Sequence, residues 1–268
     1  FPGPRTTPED GVTNYAQDRT QGPACAVAAG PATVFRNYFV QGHGLPAGQR
    51  GQTREGMIDN IAELNEALGN ADGSLLDCRG GYTMSRGDAA LRELGQRITA
   101  ASPAERDVLR SLLRVGVHAD VEVTSTGWGA NPVGRASFEE RPAGHTVHQV
   151  LCSACSLDYG QGSTLLFKMP LARDRAKLWE PLARLVLEAA YEATLLAALR
   201  QGSRVVFLTL LGGGVFKNDV RHSYFLDLRA RVSLTEKYRT LGRLDRGCDC
   251  PCAGLGATLP PRGPHLVL

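Results

Sequence analysis

The chain has 268 residues, of which 43% are hydrophobic and 21% are charged. This composition excludes a disordered protein, and the length suffices to bury a substantial core. The formal net charge is only +3, and no dense Lys and Arg cluster is present, which argues against a nucleic-acid-binding protein. The most apolar long stretch, 182–199, carries three charged residues, so no membrane-spanning helix is predicted.

The seven cysteines are odd in number and follow none of the spacings of small disulfide-bonded domains. We therefore expect reduced thiols and a cytoplasmic protein. Cys152 and Cys155 form a Cys-x-x-Cys pair, but no second pair lies at a usual zinc-site spacing. No metal and no cofactor are predicted.

Three helices are predicted before residue 115 from the spacing of their apolar residues. They are expected at 57–68, ended by Gly69, at 88–98 and at 103–113. The third has the clearest start, because Ser102 can act as its N-cap and Glu105 can close a capping box with it.

Residues 115–124 alternate between apolar and polar side chains, which predicts a half-buried strand. The expected faces are Val115, Val117, Val121 and Val123 on one side, and His118, Asp120, Glu122 and Thr124 on the other. On one face, the carboxylates of Asp120 and Glu122 would lie about 7 Å apart. Such a pair can divide acid and base work at a glycosidic bond, so both are candidate catalytic residues. The alternative is an ordinary strand face turned to solvent.

The second half of the chain is predicted to contain a strand at 146–152, a long helix and a further strand. The helix is expected to have Pro181 near its start and to end at Gly202. Residues 205–211 are continuously apolar, as in a strand covered on both faces. This order favours a right-handed crossover in an α/β domain.

A glycine loop follows this apolar run. Its residues are Gly212, Gly213, Gly214, Val215, Phe216, Lys217 and Asn218. Ligands of α/β sheets bind at the carboxyl ends of strands, and glycines let backbone N–H groups approach a diphosphate. Phe216 could then stack on a sugar or a base. The alternative is a plain connection with a packed phenylalanine, and the loop fits neither the phosphate loop of nucleotide triphosphatases nor a dinucleotide loop.

A second candidate segment surrounds Cys25, at 20–26. Three hypotheses compete for it. It could be a small-residue loop under a nucleotide, or Cys25 could be a small core residue. Alternatively, Cys25 could be a nucleophile, with Gln21 as oxyanion donor and His145 or His148 as base.

The order of these features resembles that of macrodomains, the α/β family that binds ADP-ribose, over about residues 15–230. The closest match is 208–216, which is similar to the family's second phosphate loop. Residues 21–37 resemble its first ligand segment, and 145–150 its mid-chain apolar strand. Lys217 stands where a glycine is common, and the overall pattern is nearer to that of divergent macrodomain-like (ADP-ribosyl)hydrolases.

The resemblance implies a set of ligand-binding residues. Gly213, Gly214 and Val215 would wrap the diphosphate, Phe216 would pack on the distal ribose, and Asp18 would bind the adenine. The full set is Asp18, Gln21, Gly22, Asn37, Ser153, Gly212, Gly213, Gly214, Val215, Phe216 and Asn218.

The resemblance also implies the fold, a single macrodomain-like three-layer α/β/α sandwich with a mixed, largely parallel central sheet. The domain would cover 15–240, with a disordered lead-in at 1–14 and a loose tail at 241–268.

The implied function is to bind ADP-ribose and to hydrolyse its linkage to a protein side chain such as arginine. A carboxylate of Asp120 or Glu122 would activate water or protonate the leaving group. The expected partner is ADP-ribose or an ADP-ribosylated protein, with neither nucleic acid nor membrane. The alternatives are a non-catalytic ADP-ribose reader and a cysteine hydrolase that uses Cys25.

Overall fold

The computed structural model describes the chain in several stretches. These are residues 7–17, 21–41, 45, 47–79, 82–125, 140–152, 154–157, 170–209, 211–212, 216, 218 and 265–267. Within them the chain combines α-helices with β-strands, as the sequence predicts.

Helices and strands succeed one another in small groups along these stretches. The helices are α1 (Gln21–Ala28), α2 (Gly30–Tyr38), α3 (Ala62–Ala67), α4 (Asp88–Ala100), α5 (Pro103–Ser111) and α6 (Pro170–Arg200). The strands are β1 (Leu76–Arg79), β2 (Tyr82–Ser85), β3 (Gly116–Glu122), β4 (Thr146–Leu151), β5 (Val205–Phe207) and β6 (His265–Val267). Two 3-10 helices, Pro8–Asp10 and Val12–Gln17, precede α1.

The predictions of α4 and α5 are confirmed to within two residues at each end. The capping box of α5 forms as predicted. Ser102 Oγ accepts the N–H of Glu105 at 3.3 Å, and Glu105 Oε2 accepts the N–H of Ser102 at 2.7 Å. The hydrogen bond from the Ser102 backbone, with a further one from its side chain, lowers the pKa of the Glu105 carboxyl.

The helix predicted at 57–68 is shorter, because only α3 forms. Side-chain acceptors hold the preceding backbone outside a helix. The N–H of Ile58 donates to Gln52 Oε1 at 3.1 Å, and the N–H of Ile61 donates to Asp59 Oδ1 at 2.9 Å. Such bonds compete with the helical ladder, which explains the late start of α3.

Helix α6 is longer than predicted, and Pro181 lies in its interior instead of near its start. Proline removes one hydrogen bond of the helix. Trp179 and Leu182 beside it are almost fully buried, and their burial offsets this loss. A Cβ placed on Gly95 of α4 would lie 3.4 Å from Pro181 Cγ, so α4 packs closely there. Gly202, with a φ of +67°, follows the end of α6 as predicted.

Each sheet among the described residues has two strands. β1 pairs with β2, and β3 with β4, in antiparallel orientation, whereas β5 pairs with β6 in parallel. The predicted crossover, in which α6 would join β4 and β5 in one sheet, is therefore wrong for these strands. They do not form the largely parallel central sheet either. The order of elements predicts how strands are connected but not which of them pair, and β4 pairs with β3, its predecessor in the chain.

The strand predicted at 205–211 is also shorter, and it is not covered on both faces. Val205 is 47% exposed and Phe207 is 75% exposed. The apolar run is divided between two environments, because Leu208 and Leu211 pack against α6 instead of continuing the strand. A continuous apolar run does not distinguish these two arrangements.

Two segments expected to lack structure are ordered where the structure describes them. In the predicted tail, His265–Val267 pairs with β5. In the predicted lead-in, the 3-10 helix Pro8–Asp10 forms and Pro8 is buried. Asn37 Nδ2 donates to the carbonyl of Pro8 at 3.2 Å, which ties this segment to α2.

The main hydrophobic core lies between α4 and α6, with α3 at its side. Its most buried large side chains are Leu64, Leu91, Leu94 and Trp179. Cys155 and Leu157 belong to the same core. The chain that follows β4 is therefore held against α6, next to the glycine loop.

Candidate functional site

The β3–β4 hairpin contains a bulge at the predicted catalytic pair. The register pairs His118 with Gln149 before the bulge and Val121 with Val147 after it. Residues 119–120 therefore stand opposite one residue of β4. The extra residue reverses the alternation of faces, so His118 lies on the same face as Val121. The predicted polar face is wrong in this respect, because His118 leaves it.

The opposite face keeps Asp120 and Glu122 together. Glu122 pairs with Thr146, and the Asp120 carboxylate lies 3.9 Å from Nδ1 of His148, two residues further along β4. Both acidic residues are exposed, and the side chain of Asp120 is 79% exposed. Their assignment as catalytic residues stays a prediction.

His118 packs on α2 instead. Its ring meets that of Phe35 edge-on, with the centroids 6.1 Å apart. Burial in this contact, together with the nearby charge of Arg36, lowers the pKa of the His118 imidazole. His118 is therefore a neutral packing residue between β3 and α2.

His148 fixes the backbone of Asp120. The N–H of Asp120 donates to His148 Nδ1 at 3.1 Å, and Asp120 has a positive φ of 50°. Because Nδ1 accepts this bond, the proton of the neutral ring resides on Nε2. His148 is thus a positioning residue for Asp120, a role that the sequence did not suggest.

Gly212 opens the glycine loop in a place that only glycine fits. Its φ is +71°, and a Cβ placed there would lie 2.4 Å from Ala154 Cβ and 2.7 Å from Asn218 Nδ2. Packed interiors do not tolerate such contacts, so a side chain at this position would displace the loop. The close approach that the sequence predicts for this glycine is made to the protein's own Ala154.

Two side chains anchor the backbone at the ends of the loop. The hydroxyl of Tyr191 on α6 donates to the carbonyl of Thr209 at 2.8 Å and accepts the N–H of Leu211 at 3.0 Å. Burial raises the pKa of this hydroxyl, which therefore stays neutral. Asn218 closes the other end, because its N–H donates to the carbonyl of Gly212 at 2.9 Å and its Nδ2 donates to that of Cys155 at 2.9 Å.

Phe216 lies against Tyr82 of β2. The two rings meet edge-on, with centroids 6.0 Å apart and an interplanar angle of 86°. Phe216 is half-buried and also packs beside Tyr191 and Leu187 of α6. Phe216 thus packs on the protein's own side chains, as the alternative of a packed phenylalanine expects, and its stacking on a ligand stays a prediction.

The first predicted ligand loop is helical. Gln21 starts α1, Gly22 lies in α1, and Asn37 lies in α2. The alanines of this segment favour a helix, which helps to explain why the loop prediction is wrong here. Asn37 is buried, and its Oδ1 has no hydrogen-bond partner in the part of the chain that the structure describes.

Cys25, Cys152 and Cys155 do not have the surroundings of a nucleophile. Burial raises the pKa of the Cys25 thiol, whereas nucleophilic catalysis requires a lowered one. Burial also raises the pKa of Cys152, and that of Cys155 to about 12. Among the described residues, no cluster of three or more His, Cys, Asp or Glu side chains could hold a metal ion.

The structure joins the predicted site residues in two groups. In the first, the α1–α2 segment meets β3, because the N–H of Thr124 donates to the carbonyl of Ala28 at 2.9 Å. In the second, the glycine loop meets the chain after β4 at Ala154. His148, which binds Asp120, precedes Ala154 by six residues, a span of up to about 20 Å if extended. The carboxylates and the glycine loop thus lie near opposite ends of one stretch of chain.

Several predicted ligand-binding positions lie outside the described residues. These are Asp18, Ser153, Gly213, Gly214 and Val215, and the side chain of Gln21. Their roles stay predictions.

Sequence reasoning missed Tyr191 and Tyr82. Tyr191 has a signal in retrospect, because it stands on an otherwise aliphatic face of α6, where a buried hydroxyl needs a hydrogen-bond partner. No sequence signal points to Tyr82, because its contact with Phe216 joins distant parts of the chain.

No helix in the described stretches is long and apolar enough to cross a membrane. Comparisons with family models, with curated proteins and with solved structures find no match for this chain.

Proposed function

We propose that the chain binds ADP-ribose at the glycine loop and hydrolyses the bond between ADP-ribose and a protein side chain. The observation that carries this proposal is the anchored loop. Gly212 tolerates no side chain, while Tyr191 and Asn218 hold the flanking backbone. With Gly212 and Asn218 held in place, less conformational entropy is lost when the loop binds a diphosphate.

The assignment to macrodomain-like proteins rests on this loop and not on sheet topology. The described strands pair two by two and do not form the central sheet of a three-layer sandwich. That architecture is therefore part of the proposal. The position of Phe216 beside the loop supports it, because a half-buried ring there can pack on the distal ribose.

Hydrolysis is assigned to Asp120 and Glu122. In this reaction water attacks the anomeric carbon, a new C–O bond forms, and the bond to the side chain breaks. One carboxylate takes the proton of the water, and the other, protonated, gives its proton to the leaving group. The bulge keeps both acids on one face, and His148 fixes the backbone of Asp120.

A second candidate function is that of a non-catalytic ADP-ribose reader. The observation that favours it is the 79% exposure of the Asp120 side chain. Catalytic carboxylates usually lie in concave sites that exclude water, whereas the Asp120 side chain faces solvent. A reader needs only the glycine loop.

Calorimetric titration with ADP-ribose, followed by release assays on ADP-ribosylated arginine and glutamate peptides, separates these functions. A hydrolase binds and turns over, and Asp120→Asn or Glu122→Gln abolishes turnover while binding persists. The control is Asp174→Asn, an exposed carboxylate on α6, which should change neither. Binding without release supports the reader, and no binding at millimolar ADP-ribose refutes both.

The proposed site of action is the cytoplasm. This proposal rests on the odd number of cysteines and on spacings that match none of the small disulfide-bonded domains.

A further inference from the structure

Helix α2 has its polar side inward and its aromatic side outward. Thr33 and Asn37 are buried, whereas Phe35, Tyr38 and Phe39 are 51%, 45% and 55% exposed. A surface helix of a folded domain normally shows the opposite pattern. A contiguous group of exposed rings is typical of a surface that binds another molecule.

The inward polar residues explain how α2 is fixed in this orientation. Thr33 Oγ1 donates to the carbonyl of Ala26 at 2.7 Å, and Asn37 Nδ2 donates to the carbonyl of Pro8 at 3.2 Å. Turning the helix to bury the rings would break both bonds and leave buried carbonyls unpaired. These hydrogen bonds therefore fix the orientation of α2, and its aromatic face points outward as part of the fold.

The exposed side chains form two parallel ridges. Val34 and Tyr38 are four residues apart and make one ridge, and Phe35 and Phe39 make the other. The two phenylalanine rings stack, with centroids 6.5 Å apart. We call these four residues the α2 ridge. Ridges of this i, i+4 type pack into the grooves of a like helix at about −50°.

The convex shape of the α2 ridge indicates which kind of molecule it can bind. Small molecules bind in concave sites that enclose most of their surface, and a helix ridge is convex. A ridge and groove pair of equal pitch fits a second copy of itself through a two-fold axis, since such an interface uses the same patch twice.

The area agrees with a weak dimer. The three rings, each about half exposed, offer about 300 Å² of surface per copy. Over two copies the rings therefore bury about 600 Å² in total, which is below the size of a stable interface and fits a weak, transient one. Val34, 39% exposed, adds to it.

We propose that the α2 ridge is the interface of an isologous homodimer, in which two copies of α2 pack against each other. This inference is independent of the ADP-ribose proposal, because the α2 ridge includes no residue of the glycine loop and neither Asp120 nor Glu122.

Sedimentation velocity of the whole chain from about 1 to about 300 µM tests the dimer. The wild type should shift from monomer to dimer with rising concentration. Phe39→Glu should weaken association at least about tenfold, because it places two like charges in the interface. Val34→Arg, on the other ridge, should do the same, and circular dichroism should show that both variants fold.

The matched control is Val108→Glu. Val108 is also an exposed apolar residue, 60% exposed, but it lies on α5. This variant should associate like the wild type. A wild type that stays monomeric throughout, or a Val108 variant that dissociates as much as the Phe39 variant, would overturn the proposal.

Discussion

Replacing Gly212 by alanine tests the packing of the glycine loop. The φ of +71° costs an alanine about 1 kcal/mol, because left-handed backbone crowds a Cβ. The added Cβ would also lie 2.4 Å from Ala154 Cβ and 2.7 Å from Asn218 Nδ2. Overpacking of this kind costs a further 1–3 kcal/mol or so. The expected loss is therefore about 2–4 kcal/mol of the free energy of unfolding.

Gly202→Ala is the matched control for this variant. Gly202 has nearly the same φ, +67°, but an added Cβ would have no neighbour within 4 Å. It should lose only the backbone cost, about 1 kcal/mol. The difference between the two variants then isolates the contact with Ala154.

Urea unfolding of both variants measures these losses, and calorimetric titration measures ADP-ribose affinity. The Gly212 variant should bind ADP-ribose at least about tenfold more weakly, or about 1.4 kcal/mol, because its loop is displaced. The Gly202 variant should bind like the wild type. Equal destabilisation by the two substitutions would refute the argument from loop packing.

Three further predictions follow from single contacts. Tyr191→Phe should cost about 1–2 kcal/mol and weaken ADP-ribose binding, because it deletes both anchoring bonds of the hydroxyl; unchanged binding in titration would contradict this. His148→Asn should keep an acceptor near the position of Nδ1, so the amide resonance of Asp120 should stay in place in NMR spectra. His148→Leu removes the acceptor and should shift that resonance. Equal shifts in the two variants would contradict the positioning role of His148. The free energy of unfolding should fall from about pH 9 upwards, by up to about 1.4 kcal/mol per pH unit. The reason is that the folded protein keeps the Cys155 thiol protonated up to a pH of about 12, whereas the unfolded chain releases that proton near pH 9. Cys155→Ala should reduce this slope but not abolish it, because the pKa values of Cys25, Cys152 and Tyr191 are raised as well. A slope unchanged in that variant would show that Cys155 does not contribute to it.

The sequence predicts best what depends on local bonds. The start of α5 follows from Ser102 and Glu105, which bond each other across three residues. The stop after α6 follows from Gly202, whose positive φ is a property of one residue. Such features need no knowledge of distant parts of the chain.

The sequence predicts poorly what depends on pairing. The bulge in β3 is invisible in its alternation, because the residue that stabilises it, His148, lies on another strand. This one insertion places His118 on the opposite face. Likewise, the run at 205–211 is apolar apart from Thr209, but the Tyr191 hydroxyl bonds the backbone of Thr209 and Leu211.

The candidate site also combines local features, which the sequence predicts, with distant contacts, which it does not predict. The need for glycine at Gly212 is a local expectation, and the structure explains it by a contact with Ala154. The anchoring of the loop by Tyr191 joins residues 18–20 positions apart, and the contact of Phe216 with Tyr82 joins more distant ones. Neither can be derived from spacing along the chain.

The most direct test of the central claim is an NMR titration of the labelled chain with ADP-ribose. If the glycine loop binds the diphosphate, the backbone amides of Gly212, Phe216 and Asn218 should shift with saturation, and those of the α2 ridge should not. No shift at millimolar ADP-ribose, or shifts that leave these three amides unchanged, would contradict the account.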